Sequence, residues 1–128
     1  MGFRAVQRLS FWVGTSLVVA ALSLPAHAVV ETVVIERPSR AHKLAGFAVD
    51  PSSAAIAGAD VDDCDSTFSR VLGSVTSDAD GHFAFPRAKI GSTHYLSIHA
   101  RGFNPLRITV KLRYFARPQL HVKLPIGG

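Results

Sequence analysis

Any chemistry in this 128-residue chain would have to come from scattered histidines, a run of aspartates and a stripe of cations. The densest acidic turn is Asp78-Ala79-Asp80-Gly81. An EF-hand loop fitted to it places Thr76 at the first ligand position and Arg87 at the twelfth, so both essential carboxylates are missing. A different hard-cation site would need Asp60, Asp62, Asp63 or Asp65 to converge on that turn from another strand. No metal and no cofactor is assigned, and Asp78, Asp80 and Gly81 are read as turn residues. Gly102, within Arg101-Gly102-Phe103-Asn104-Pro105, is read the same way. His42, His82, His94, His99 and His121 lack the close paired spacing of zinc ligands and read as surface histidines. Ser, His and Asp all occur, but there is no Gly-x-Ser-x-Gly elbow, phosphate loop or dinucleotide fingerprint. The chain therefore reads as not an enzyme, with no catalytic residue assigned. A hydrolytic reading would require a His, an Asp and an Arg to meet in one pocket.

The best candidate partner-binding face is cationic. Arg107, Lys111, Arg113, His121 and Lys123 fall at outward positions of two alternating segments. The functional reading is docking of an acidic protein face, an anionic polysaccharide or lipid head groups, with the partner a protein or an anionic envelope component. The plainer reading is a solubilising outer face. Nucleic acid is not expected, because aromatic residues interleaved for base stacking are sparse. Carbohydrate binding is the alternative, with Tyr95, Tyr114 and Phe115 as the stacking candidates and Phe103 plugging a sheet end.

Charge is unevenly distributed. Residues 29–80 hold all nine acids and four bases, whereas residues 81–128 hold no acid and eight bases. Such polarity can steer an anionic partner. Interleaving of the strands is expected to neutralise it.

The elements that must position these residues are strands. Arg4 and Arg8 precede an apolar run from Leu9 to Leu24, followed by Pro25 and Ala26-His27-Ala28. This is the pattern of a signal peptide, residues 1–28, cleaved after Ala28. The run is short for the roughly 20 apolar residues that span a bilayer. Residues 29–41 are expected to form an edge strand or an extended tail, stopped by Pro38. Strands are expected over His42–Asp50, Val71–Ser77, His82–Pro86, Thr93–Ala100, Leu106–Arg113 and Gln119–Leu124. Leu106–Arg113 alternates most cleanly, with Leu106, Ile108, Val110 and Leu112 inward. Ala59–Asp65 is unusually acidic and is placed at an edge or rim. Asp78–Gly81 should make a tight turn pairing the strands on either side of it, with Gly81 at positive φ. Cys64 is the single cysteine and should be a small buried residue. The absence of helical periodicity points to one all-β domain of about seven strands, residues 42–128, with antiparallel sheets wet on one side.

With those residues placed, the chain resembles the carboxypeptidase regulatory-like domain, a transthyretin-like β-sandwich. Leu44-Ala45-Gly46-Phe47-Ala48-Val49-Asp50 is similar to its first strand and turn. Ile56-Ala57-Gly58-Ala59-Asp60-Val61 is similar to the segment entering its second strand. Ser77-Asp78-Ala79-Asp80-Gly81-His82-Phe83 is similar to its Thr-Asp-x-x-Gly-x-Phe signature, with Ser77 in the Thr place. Tyr95–Phe103 is similar to its strand ending in Ala-x-Gly-Tyr/Phe. The resemblance implies an antiparallel Greek-key β-sandwich that accompanies, stabilises or binds something else. It implies no catalytic residues. The fold is shared with urate-derivative hydrolases, whose C-terminal Tyr-Arg-Gly-Ser ending is absent here.

Overall fold

The computed structural model describes residues 31–127. The expected signal segment 1–28 and its cleavage point lie outside the described residues. Eight strands follow in order: β1 Val33–Ala41, β2 Ala45–Val49, β3 Asp60–Cys64, β4 Val71–Thr76, β5 His82–Ala84, β6 Thr93–His99, β7 Leu106–Leu112 and β8 Leu120–Lys123. They form two sheets, one ordered β1-β7-β6-β3-β4 and the other β5-β2-β8. The described residues are all-β, and the chain crosses between the sheets at five of its connections.

The driving force is legible strand by strand. In β7 every second side chain is buried, and Val110 and Leu112 are fully so. Leu96 and Ile98 of β6 and Val61 of β3 extend that apolar face across the larger sheet. Ala48, Phe83, Leu120 and Val122 cover it from the smaller one. Burying a Leu, Ile or Phe side chain contributes about 1.5–3 kcal/mol, so this shared face is what holds the layers together. Gly46 has a specific reason to be glycine. A Cβ there would run into the Leu120 backbone and lie 2.8 Å from the Leu120 Cβ, so the β2–β8 pair closes only without a side chain.

Several expectations are corrected. The sheets are mixed, because β1 pairs with β7 and β2 with β8 in parallel. Pro38 does not end the N-terminal strand. Register slips between Ile35 and Ser39, and Pro38 sits in that irregularity on an edge strand, where a missing N–H costs no ladder bond. Residues 33–41 are therefore part of the sandwich and supply its eighth strand. The acidic strand β3 is central, flanked by β6 and β4. It tolerates acids because Asp60 and Asp62 lie on the outer face, bonded by Thr76 and Ser74, while Asp63, on the inner face with Val61, is met by His94 at 2.9 Å. The turn at Asp78–Gly81 does not pair β4 with β5. It is a corner that carries the chain from one sheet to the other, where β5 pairs with β2.

That corner is held by side chains as well as backbone. Asp78 accepts the N–H groups of Asp80 and His82 at 2.9 Å. Gly81 has φ of 80°, as expected. Ser77 is buried, donating to the Ile56 carbonyl at 2.7 Å and accepting from the Ala59 N–H at 2.8 Å. Gly102 also takes positive φ, 87°.

Candidate functional site: the basic end of the sandwich

Strand directions decide which loops share an end. Register pairs Ala41 with Leu112, Thr93 with Lys111, Cys64 with Tyr95, and Ala45 with Ala84. Loops 42–44, 65–70, 85–92 and 113–119 therefore gather at one end. Backbone bonds from Arg113 N to Ala41 O, His42 N to Arg117 O and Leu112 N to Ser92 O tie three of them together. Those four loops carry six cations, Lys43, Arg70, Arg87, Lys89, Arg113 and Arg117, and one acid, Asp65. The opposite end has the reverse character. Its loops and the chain preceding β1 carry Glu31, Asp50, Asp78 and Asp80 against one cation, Arg101.

The expected neutralisation is thus only partial. Within the sheets two acids of β3 find histidine partners: Asp63 meets His94 at 2.9 Å, and Asp62 meets His99 at 3.3 Å, both from β3 to β6. Along the strand axis the charges separate. The cause is that the chain alternates ends, and its acidic turns all fall at one of them.

The basic end is also where large apolar side chains are left out of the core. Phe115 is 93% exposed and Tyr114 is 65% exposed, at the tip of the β7–β8 loop. Their rings meet edge-on at 4.9 Å and 88°. Tyr114 is steadied by His42, whose ring lies 5.5 Å away and whose Nδ1 is 3.1 Å from the Tyr114 carbonyl. Val71, Leu72 and Ile90 are exposed at the same end.

A cavity of about 400 Å³ opens there, lined by Leu72, Phe85, Pro86 and Ala88 together with Asp63, His94 and Arg87. A His, an Asp and an Arg therefore do meet in one pocket. Behind the cavity runs a relay. Asp63 Oδ2 faces His94 Nδ1 at 2.9 Å, and His94 Nε2 faces Ser92 Oγ at 2.7 Å. Ser92 Oγ also lies 2.5 Å from the Lys89 carbonyl. A carbonyl only accepts, so the single Ser92 proton lies between those two oxygens. His94 must then donate to Ser92, and it faces an acceptor carboxylate on its other side. The arrangement is a hydrogen-bonded line from Asp63 through His94 to Ser92. It does not place Ser92 with its proton aimed at a base, as a nucleophile requires. The second carboxylate oxygen of Asp63 is buried without a partner.

The cationic residues singled out from the sequence do not form one face. Arg107 and Lys111 project from the outer side of the larger sheet, and His121 and Lys123 from the outer side of the smaller one, so the two pairs point in opposite directions. Arg107 is half-buried. Its guanidinium lies over Phe68, 4.9 Å from the ring centre, and its Nε has no partner. His121 sits beside Phe47, which has His82 on its other side. Only Arg113, whose Nη1 donates to the Leu112 carbonyl at 2.9 Å, belongs to a loop of the basic end, and Lys111 lies next to it at the end of β7. Alternation showed which cations leave the core; it did not show on which sheet. Lys43, Arg70, Arg87, Lys89 and Arg117 were missed because a loop residue has no periodicity to read.

Tyr95, one of the carbohydrate candidates, is half-buried and covered edge-on by Phe68 at 6.0 Å. Cys64 is buried, as expected, but outside the main core: it lies opposite Tyr95 on β6, at the foot of the 65–70 loop. Burial pushes its thiol pKa up, and the carboxylates of Asp62, Asp63 and Asp65 push it further. Among the described residues no three His, Cys, Asp or Glu side chains are grouped to hold a metal ion.

No protein-family model matches this chain, and no curated protein matches it.

Proposed function

We propose that this chain is a non-catalytic, exported β-sandwich module, of the carboxypeptidase regulatory-like kind, that binds or stabilises a protein or an anionic envelope component. One observation carries the reading. The four loops at one end of the sandwich concentrate six cations against one acid and present the two most exposed aromatic rings of that end. A solubilising surface has no need of apolar side chains inside a cationic ring, since exposed apolar patches rimmed by polar groups mark interaction sites. The edge-on packing of Tyr114 and Phe115 favours insertion or docking over carbohydrate stacking, which uses a flat ring face.

The test is capture from exported and envelope fractions by residues 29–128, beside an Arg113→Glu/Arg117→Glu variant. Specific capture that the variant loses supports the reading. Equal capture by both removes the basic end as the binding surface.

A second reading has its own observation, the meeting of Asp63, His94 and Arg87 in one cavity. It would make the cavity a small-molecule or hydrolytic site. The commitment of the Ser92 proton to Lys89 weighs against hydrolysis. Turnover of small esters by the purified protein, lost in His94→Gln, would overturn the non-catalytic reading.

A further inference from the structure

We infer that the basic end is built to dock on an anionic lipid surface, with Phe115 and Tyr114 entering the headgroup layer and the surrounding cations meeting lipid phosphates. The inference rests on the binding-module reading and names its partner. Three features carry it. Phe115 is 93% exposed at a loop tip, and among the described residues its ring meets only that of Tyr114, itself exposed. Tyr114, 65% exposed beside it, has the amphipathic ring suited to a membrane–water interface. Lys43, Arg113 and Arg117 flank that tip, tied to it by the bonds from His42 N to Arg117 O and from Lys43 N to Pro118 O.

Charge orientation distinguishes a surface from a compact partner. The opposite end of the sandwich is acidic, so the charge dipole runs along the strands. An anionic plane attracts one end and repels the other, which would stand the sandwich upright on the membrane. Apolar insertion supplies what electrostatics alone lacks, because two weak signals together give stable anchoring.

The experiment uses residues 29–128, which carry every strand and the whole core described above. The sole tryptophan of the chain is Trp12, before that segment, so Phe115→Trp reports on the tip alone. Vesicles of phosphatidylcholine doped with phosphatidylglycerol should blue-shift this tryptophan and shield it from an aqueous quencher. Pure phosphatidylcholine should do neither. In co-sedimentation, Phe115→Ser should weaken binding by about tenfold, as expected for partial burial of one aromatic side chain. Each cation neutralised in Arg113→Gln or Arg117→Gln should cost about fivefold, and added salt should do the same progressively. Phe115 and Arg117 are exposed, so their variants should melt as the parent does, whereas Arg113→Gln gives up the bond to the Leu112 carbonyl and its melting is read beside its binding.

Adsorption to anionic vesicles without a tryptophan shift, or unaffected by Phe115→Ser, would overturn insertion. Failure to bind vesicles while soluble poly-glutamate still binds the same end would overturn the lipid inference and leave the binding module standing. Failure to bind either would remove the anionic partner along with the lipid.

Discussion

Replacing Gly81 tests the corner on which the two sheets depend. At φ of 80° a side chain is already strained, by about 1–2 kcal/mol for an L-residue in the left-handed region. Space adds a second cost. A Cβ on Gly81 would lie 2.6 Å from the Ala48 carbonyl oxygen and 3.3 Å from Ala55 and Ile56. That carbonyl accepts the Ile56 N–H at 2.9 Å, and Ala48 N–H donates to the Gly81 carbonyl at 2.8 Å. Moving either backbone to make room sacrifices bonds worth about 1 kcal/mol each, and more where a buried group is left unpaired. Gly81→Ala should therefore cost about 3–5 kcal/mol, the sum of strain and lost bonds. A β-branched side chain in Gly81→Val should cost more. Gly102 is the control. Its φ is 87°, but nothing lies within 4 Å of the Cβ it would gain. Gly102→Ala should therefore cost the strain alone, about 1–2 kcal/mol. Urea unfolding of both variants, followed by circular dichroism, reads the difference directly, provided the slopes match. For a domain of about 100 residues each kcal/mol moves Tm by roughly 4–8 °C, so the two variants separate clearly on heating. Equal destabilisation at both sites would refute the close approach at Ala48. Near-neutral effects at both would refute the left-handed turns themselves.

Other expected outcomes follow from the same packing and hydrogen bonds. Ile108→Ala and Val110→Ala should each cost about 2–4 kcal/mol in chemical denaturation by opening a cavity between the sheets, whereas Thr109→Ala, on the outer side of β7, should be nearly silent. Asp50 is held below the usual carboxylate range by the Ser52 hydroxyl and the Ala54 N–H, and Asp65 by the Ser69 N–H. Because the folded pKa lies below the unfolded one, this stabilisation is present at neutral pH and is lost as pH falls below about 4. Asp50→Asn/Asp65→Asn should therefore flatten the acid limb of a stability-versus-pH curve, and an unchanged limb would remove these turns as its cause. The raised pKa and burial of Cys64 predict slow alkylation by iodoacetamide under native conditions and fast alkylation in urea, so rapid native labelling would contradict the packing around it.

Much of the local structure was legible because it depends on neighbours in sequence. The alternation of Leu106, Ile108, Val110 and Leu112 marks the inner face of β7, since a strand turns successive side chains to opposite sides. Gly81 after an Asp-rich turn announces positive φ, because only glycine takes it without steric cost. The all-β class follows from the same periodicity. What the sequence alone did not determine is everything that depends on which strand lies beside which. Asp63 and His94 are 31 positions apart and meet only because β3 pairs with β6. The acids of β3 suggested an edge or rim, yet the strand is central, since a wet outer face takes Asp60 and Asp62 wherever the strand sits in the sheet and His94 partners Asp63. Arg107 and Lys123 read as one outward set because alternation reports a direction relative to the chain, not to the molecule. Their separation onto opposite faces was decided by β7 and β8 entering different sheets. The basic end is likewise a product of topology. A loop's charge is written in sequence, but the end it occupies depends on the direction of the strands around it, and that direction is fixed only when the sheets close over their shared core.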